Sequence, residues 1–206
     1  MLKVVSVISP IISIKSLSEA DVVELWVKKI NKKDLIKTIE IIKKSNKPII
    51  YKTTSGNFDK LNGEVLETSA YIDIDSSSDG KFIKKIRKKY KKTKIIISHH
   101  DFKKTPYEKE LEKIAKNILK QKPDIIKLAF LAKSVSDSFR ILDFLQDLNK
   151  KGIKAICVGM GEYGLLTRVA GDLFGNYMMY FAQNNKMKSA PGQITIKEFK
   201  KHRNES

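Results

Sequence analysis

Lys127 lies inside Asp124-Ile-Ile-Lys-Leu-Ala-Phe130, a run that is apolar on both sides of the lysine. Burial disfavours an ammonium, and a neutral amine is a nucleophile able to form an imine with a ketone or aldehyde. The competing reading is a lysine whose head snorkels past the strand end to solvent. The preceding apolar run ends in His99-His100. Strand alternation puts Ile96, Ser98 and His100 on one face, and Ile125, Lys127 and Ala129 on one face of the next strand. Neighbouring strands lie about 4.8 Å apart, so His100 and Lys127 can reach one small molecule. An imidazole titrating near neutrality suits proton transfer there. His99 points the other way and reads as structural. Adjacent strand residues diverge and no third ligand is evident, so the pair is not expected to hold a metal.

Other groups able to do chemistry fall at the ends of apolar runs: Glu24, Lys52 and Asp75, then Arg168 and Ser189–Gln193 after the last two runs. Arg168 suits bidentate capture of a carboxylate. The Ser189 hydroxyl and Gln193 amide, on a turn shaped by Pro191 and Gly192, can hydrogen-bond a polyol. Gly159-Met-Gly-Glu-Tyr-Gly164 formally matches the dinucleotide pattern GxGxxG, which also needs an acid at the end of the next strand. No Asp or Glu lies between Asp172 and Glu198. The glycines are therefore read as permitting a tight turn beside a ligand.

Short apolar runs alternate with helical periodicity along the chain, a pattern for α/β with a parallel sheet. Eight strands are predicted at Lys3–Ile8, Asp21–Val27, Pro48–Lys52, Tyr71–Asp75, Lys94–Ser98, Asp124–Ala129, Ile153–Val158 and Tyr177–Phe181. Leu35, Ile36, Ile39 and Ile42 stripe one helix, and Leu111, Ile114, Ala115, Ile118 and Leu119 another, opened by Thr105 as N-cap, Pro106 and Glu108. Ser134 and Asp137 open a helix striped by Val135, Phe139, Leu142, Leu145 and Leu148. The connections Ser9–Ala20 and Thr53–Ala70 are less regular. Eight βα units without a composition break predict one compact (β/α)8 TIM barrel over residues 1–206, with an open doubly wound sheet as the alternative. In a barrel, the strand-end groups converge on one face.

Composition bounds the rest. With 206 residues, 41% hydrophobic and 31% charged, the chain is neither disordered nor fibrous. No apolar run approaches the roughly 20 residues of a membrane helix, so a cytoplasmic protein is expected. Cys157 is the only cysteine, which excludes an intramolecular disulfide. The net charge of +18 invites an anionic partner, but only four of the 41 basic residues are arginines: Arg87, Arg140, Arg168 and Arg203. Lysine cannot copy the arginine fork used to read phosphates and bases. The densest run, Lys81 to Lys94, resolves into a helix with Phe82, Ile83, Ile86 and Tyr90 on its apolar stripe. No aromatics interleave with its lysines to stack bases, so it is read as a solvated coat rather than a nucleic-acid surface.

Five segments in this order resemble the type I 3-dehydroquinate dehydratases. They are Asp21-Val-Val-Glu-Leu25, Ser98-His-His-Asp-Phe-Lys-Lys-Thr-Pro106, Asp124-Ile-Ile-Lys-Leu-Ala129, Gly159-Met160 through Thr167-Arg168 to Phe174-Gly175, and Ser189-Ala-Pro-Gly-Gln-Ile194. The resemblance implies a (β/α)8 lyase of the shikimate pathway, making 3-dehydroshikimate from 3-dehydroquinate without a cofactor or metal. It implies that Lys127 forms the Schiff base, His100 is the general acid/base and Arg168 binds the substrate carboxylate. Ser189 and Gln193 then belong to the closing loop, and Glu24 contacts the substrate hydroxyls. A homodimer is also implied. Three positions depart from the pattern. Trp26 stands where an arginine is common, Lys52 replaces a strand-end arginine, and the glutamate that often pairs with the histidine falls near Gly56, leaving Asp75 or another carboxylate to take its place. A basic binding protein without catalysis, and a Schiff-base aldolase with another substrate, are the competing functional readings.

Overall fold

In the computed structural model, residues 1–10, 12–53 and 60–204 are described. The strands are β1 (Leu2–Val7), β2 (Val22–Trp26), β3 (Ile49–Thr53), β4 (Tyr71–Asp75), β5 (Lys94–Asp101), β6 (Ile125–Leu131), β7 (Ala155–Met160) and β8 (Met178–Ala182). The helices are α1 (Lys32–Lys44), α2 (Lys60–Thr68), α3 (Gly80–Lys89), α4 (Glu108–Leu119), α5 (Val135–Lys150), α6 (Leu165–Ala170) and α7 (Ile196–His202). All the predicted strands are present. The irregular connection after β1 carries only a 3-10 turn, Lys15–Leu17, and Gly56 lies outside the described residues.

The strands pair in parallel in the order β7-β6-β5-β4-β3-β2-β1-β8. This is a nearly closed (β/α)8 barrel, not an open doubly wound sheet. Side-chain and backbone hydrogen bonds close the remaining seam. Tyr177 N–H donates to the Ala155 carbonyl at 3.0 Å. Across the same gap the Asn176 amide accepts from Cys157 N–H and donates to the Cys157 carbonyl, both at 3.0 Å. A carboxamide reproduces a peptide unit's donor and acceptor, so one side chain does the work of a missing ladder rung.

Alternation along the strands separates two cores. Outward-facing residues such as Val5, Val23, Ile72, Ile97, Leu128 and Phe181 pack with the helices in one cluster. Inward-facing Val4, Val22, Ile50, Tyr71, Ile96, Ile125, Ile156, Met178 and Tyr180 form a second cluster that fills the barrel. One step further along β1 to β6, the inward positions turn polar. Ser6, Glu24, Lys52, Asp73, Ser98 and Lys127 are all buried there. An apolar plug thus underlies a charged layer, which excludes water from below and strengthens every interaction within it.

Several helix expectations are corrected. The N-cap of α4 is Tyr107 rather than Thr105, because the Thr105 hydroxyl donates to the Leu131 carbonyl at the end of β6. Val135 and Phe139 of α5 are each half exposed, at 51%, and so is Ile36 of α1 at 45%. The buried face of α5 runs instead through Ser138, Ile141, Leu142, Phe144, Leu145 and Leu148. Ser134 does cap α5, accepting from Asp137 N–H.

Candidate active site

Strand β6 carries Lys127 into the polar layer, opposite Ser98 of β5 in the ladder. Its ammonium donates to Glu24 Oε1 at 3.0 Å and to Asp73 Oδ2 at 2.9 Å. It also lies 3.7 Å from the centroid of the Tyr180 ring, a cation–π contact in a dry setting. The sequence expectation of a neutral amine is overturned here. Burial does disfavour the charge, but the Asp73 and Glu24 carboxylates outweigh it and hold the ammonium well above its ordinary 10.5. The free protein therefore carries a charged, three-sided lysine rather than a ready nucleophile.

Asp73 completes the cage and was not singled out by the sequence reading. Its Oδ1 accepts from Lys52 at 2.7 Å while Oδ2 accepts from Lys127. Burial raises the tendency of this carboxyl to protonate, yet the Lys127 and Lys52 ammoniums together drive it below its ordinary 3.8. The available signal was alternation. With Ile72 and Ile74 outward, Tyr71, Asp73 and Asp75 share the inner face. An aspartate at the centre of an apolar strand is as informative as the lysine of β6.

Glu24 is 1% exposed and heavily engaged. Its Oε2 accepts from Ser6 Oγ at 2.8 Å and from the Trp26 indole N–H at 2.6 Å. Trp26, standing where a cation was expected by resemblance, thus serves the same carboxylate. Lys52 does not line the cavity. At 4% exposure its ammonium is taken by Asp73 and by Ser98 Oγ at 2.8 Å.

The cavity above this layer is lined by Glu24, Trp26, His100, Lys127, Arg168, Tyr180, Ser189 and Gln193, with Phe102, Ala129, Val158 and Met160 as apolar wall. Five of the predicted site residues plus Arg168 therefore meet in one place. The His100 ring stacks near Phe102, with an interplanar angle of 10°. Its Nδ1 is 3.9 Å from Asp75 Oδ2, too long for a hydrogen bond but close enough for attraction. Burial pulls the imidazole below its ordinary 6.5, the Asp75 contact opposes this, and Lys52 and Lys127 add to the fall. His99 faces outward, with Nδ1 3.2 Å from Ser76 Oγ.

Arg168 is 3% exposed, and its Nε has no hydrogen-bond partner. Its Nη2 donates to the Pro191 carbonyl at 3.4 Å, and burial lowers the guanidinium to about 10, so it stays charged at neutrality. Among the described residues no carboxylate comes within ion-pair distance of it. A buried, unneutralised guanidinium on a cavity wall is suited to an anionic ligand.

The glycines explain how the closing turn reaches this arginine. A Cβ on Gly164 would lie 2.3 Å from the Gly159 carbonyl carbon, so α6 can start hard against the end of β7. Gly161 N–H donates to the Pro191 carbonyl at 3.1 Å. Gly192, at φ +73°, sits so close that a Cβ would fall 2.2 Å from Gly161 O. The pattern that mimicked a nucleotide motif is thus the seat of the Ser189–Gln193 turn. Inside that turn Gln193 Oε1 accepts from Ser189 N–H at 2.7 Å and from its hydroxyl at 3.0 Å. Gln193 Nε2 donates to Ser6 Oγ at 3.4 Å, tying the turn to the polar layer.

The family model for type I 3-dehydroquinase matches residues 5–204. A 3-dehydroquinate dehydratase of Methanococcus maripaludis is 36% identical over 155 residues, covering 70% of this chain and 69% of the relative. The bifunctional 3-dehydroquinate dehydratase/shikimate dehydrogenase of Arabidopsis thaliana is 33% identical over 195 residues, covering 87% of this chain and 32% of that longer protein. The crystal structure of the 3-dehydroquinate dehydratase from Aquifex aeolicus superposes with a TM-score of 0.79 at 26% identity, covering 99% of this chain and 98% of that one. With that match spanning nearly all of the barrel and its cavity, the chain belongs to the type I 3-dehydroquinases, a family of hydro-lyases.

Proposed function

We propose that the protein converts 3-dehydroquinate to 3-dehydroshikimate and water through a Schiff base on Lys127. The observation that carries this reading is one small cavity lined by a caged lysine, a histidine and an unneutralised arginine. Arg168 takes the substrate carboxylate, which fixes the ring over Lys127, and the Ser189–Gln193 turn closes on it. Lys127 first passes a proton to His100, and its amine adds to the C3 ketone. Loss of water leaves an iminium, whose positive nitrogen inherits the contacts to Asp73 and Glu24. The cage that makes deprotonation costly therefore stabilises the iminium that follows. The iminium acidifies the adjacent C2–H, and neutral His100 removes that proton. The resulting imidazolium then protonates the departing C1 hydroxyl, and water hydrolyses the imine to release product. Glu24 meets the substrate through whichever lone pair Lys127, Ser6 and Trp26 leave open. Lys52 acts from beneath, as the partner that keeps Asp73 ionised.

Borohydride added in the presence of 3-dehydroquinate should trap a covalent adduct on Lys127, and absorbance of 3-dehydroshikimate should report turnover. Lys127→Ala should abolish both. No adduct and no turnover in the wild type would remove the reading. The resemblance also carries over a homodimer. Light scattering should then report a particle of twice the 23.5 kDa chain mass.

A further inference from the structure

We propose that Tyr180 is a further catalytic residue, its phenol O–H donating a hydrogen bond to the oxygen on the carbon that Lys127 attacks. The inference rests on the Schiff-base reading above and adds a group to it. Tyr180 lies on β8, opposite Val4 of β1, with its side chain inside the barrel. It bridges the two inner layers, belonging to the apolar plug below and to the cavity lining above.

Two observations on this residue are otherwise unexplained. Its ring face meets the Lys127 ammonium at 3.7 Å. Its hydroxyl is fully buried and, beyond an interaction with the Lys127 ammonium itself, lacks a hydrogen-bond partner among the described residues. A phenylalanine would supply the same ring face and the same packing without an orphaned O–H. Buried polar atoms left unpaired are uncommon and call for a reason.

The surroundings decide which way this hydroxyl works. Burial raises its pKa first of all, the neighbouring Glu24 and Asp73 carboxylates raise it further, and Lys127 opposes them without reversing the direction. The phenol accordingly stays protonated at neutral pH and serves as a donor. The nearby carboxylates accept from other donors, Asp73 from Lys52 and Lys127, and Glu24 from Lys127, Ser6 and Trp26. The oxygen on a carbon bonded to Lys127 is only two bonds from Nζ, which itself sits 3.7 Å from the centre of the Tyr180 ring. An oxygen so close to Nζ is within reach of the phenolic hydroxyl on that ring.

The chemistry balances without any net transfer from the tyrosine. As the Lys127 nitrogen bonds to the carbonyl carbon, the C=O π pair moves to oxygen, and the Tyr180 O–H stabilises the charge that develops there. A proton from the His100 imidazolium converts that oxygen to the carbinolamine hydroxyl. The His100 imidazole then takes a proton from the attached nitrogen, freeing its lone pair, and hands that proton to the hydroxyl. The hydroxyl departs as water while the lone pair closes the C=N bond. Tyr180 donates throughout and ends the cycle as it began.

Tyr180→Phe is the test, because it keeps the ring over the ammonium and deletes only the hydroxyl. Turnover of 3-dehydroquinate should fall about 100-fold in kcat, the lower end of the range for losing one preorganised donor, with KM little changed. Single-turnover quenching with borohydride should show adduct formation on Lys127 slowed by the same factor. The thermal midpoint should hold or rise, since an orphaned group has gone, so a folding defect does not enter. An active wild type whose kcat and adduct rate the Phe variant matches would overturn the role of Tyr180 while leaving the Schiff-base reading intact. A fall in kcat with an unchanged adduct rate would overturn it equally. A wild type that forms no adduct would overturn the underlying reading instead.

Discussion

Asp73 is the residue on which both buried ammoniums depend. Each of its oxygens serves a different lysine, at 2.7 Å and 2.9 Å, so one neutralising substitution strands two cations in a dry layer. Removing one partner of such a pair costs about 3–5 kcal/mol, and Asp73→Asn should lower the free energy of urea unfolding at pH 7 by that order. The sign of its pH dependence follows from the depressed carboxyl. Stability from Asp73 is complete above the ordinary 3.8 and is lost as pH falls below it. Acid titration of unfolding should therefore show a limb in the wild type that the Asn variant lacks. The raised Lys127 gives the converse, stability present below 10.5 and lost only as pH climbs past it. His100 makes a separate, kinetic prediction. Its imidazole is held below 6.5 by burial, with Lys52 and Lys127 assisting and Asp75 and Asp73 opposing. In Asp75→Asn the strongest opposing anion is gone, so the acid limb of kcat/KM should move to lower pH; a limb that stays put would sever Asp75 from His100. Lys127 and His100 were legible because a charged or polar residue in an apolar strand advertises itself, whereas Arg168, on helix α6, was legible by residue type alone. The ionisation of Lys127 was not, since burial alone argues for a neutral amine. Only the fold brings Glu24 and Asp73, 103 and 54 residues away in sequence, onto its nitrogen.

At the scale of elements, the barrel closes through the Asn176 side chain and one backbone bond, from Tyr177 N–H to the Ala155 carbonyl, rather than a full ladder. Asn176 bridges β7 and β8 by bonding both backbone groups of Cys157. Asn176→Ala would leave a buried N–H and a buried C=O unpaired, each costing about 1–3 kcal/mol. Unfolding free energy should drop accordingly, and hydrogen exchange at the Cys157 amide should accelerate while the β5–β6 ladder keeps its protection. Equal acceleration in both places would mean global destabilisation instead. The seam matters to the site because β7 leads into the glycine turn that seats Pro191 and Gly192. The eight strands could be read from period and composition, with most boundaries within one or two residues of those observed. The misreadings have one physical origin. Helix stripes were inferred from apolarity alone, yet Val135, Phe139 and Ile36 fall just off the face that the sheet covers. Thr105 had the right residue type for a cap, but a hydroxyl bonds whatever acceptor the fold brings near, here the Leu131 carbonyl. Asn176 could not be anticipated, because nothing local distinguishes an asparagine that closes a barrel from one in a loop.

For the molecule as a whole, the unresolved feature of composition is a charge of +18 around a site whose proposed substrate is a carboxylate. Helix α3 gives the charge a location. Ile83 and Ile86 face the core, while Lys81, Lys84, Lys85, Lys88 and Lys89 are exposed. Lysines spread in this way make poor readers of specific anions, since none is desolvated and none is forked. They do raise the positive potential around the molecule, which draws an anion inward at distances comparable to the Debye length of about 8–10 Å in physiological salt. Steering acts on encounter and not on the chemistry after it. Raising ionic strength should therefore lower kcat/KM for 3-dehydroquinate and leave kcat almost unchanged. Changing Lys84, Lys85 and Lys88 together to glutamine should flatten that salt dependence without altering the kcat, the melting temperature or the borohydride adduct on Lys127. If the triple variant keeps the wild-type salt slope, the α3 lysines are a solubilising coat alone. If kcat itself moves with salt, the field acts on the charged layer within the barrel, through the contacts that hold Lys127 between Asp73 and Glu24.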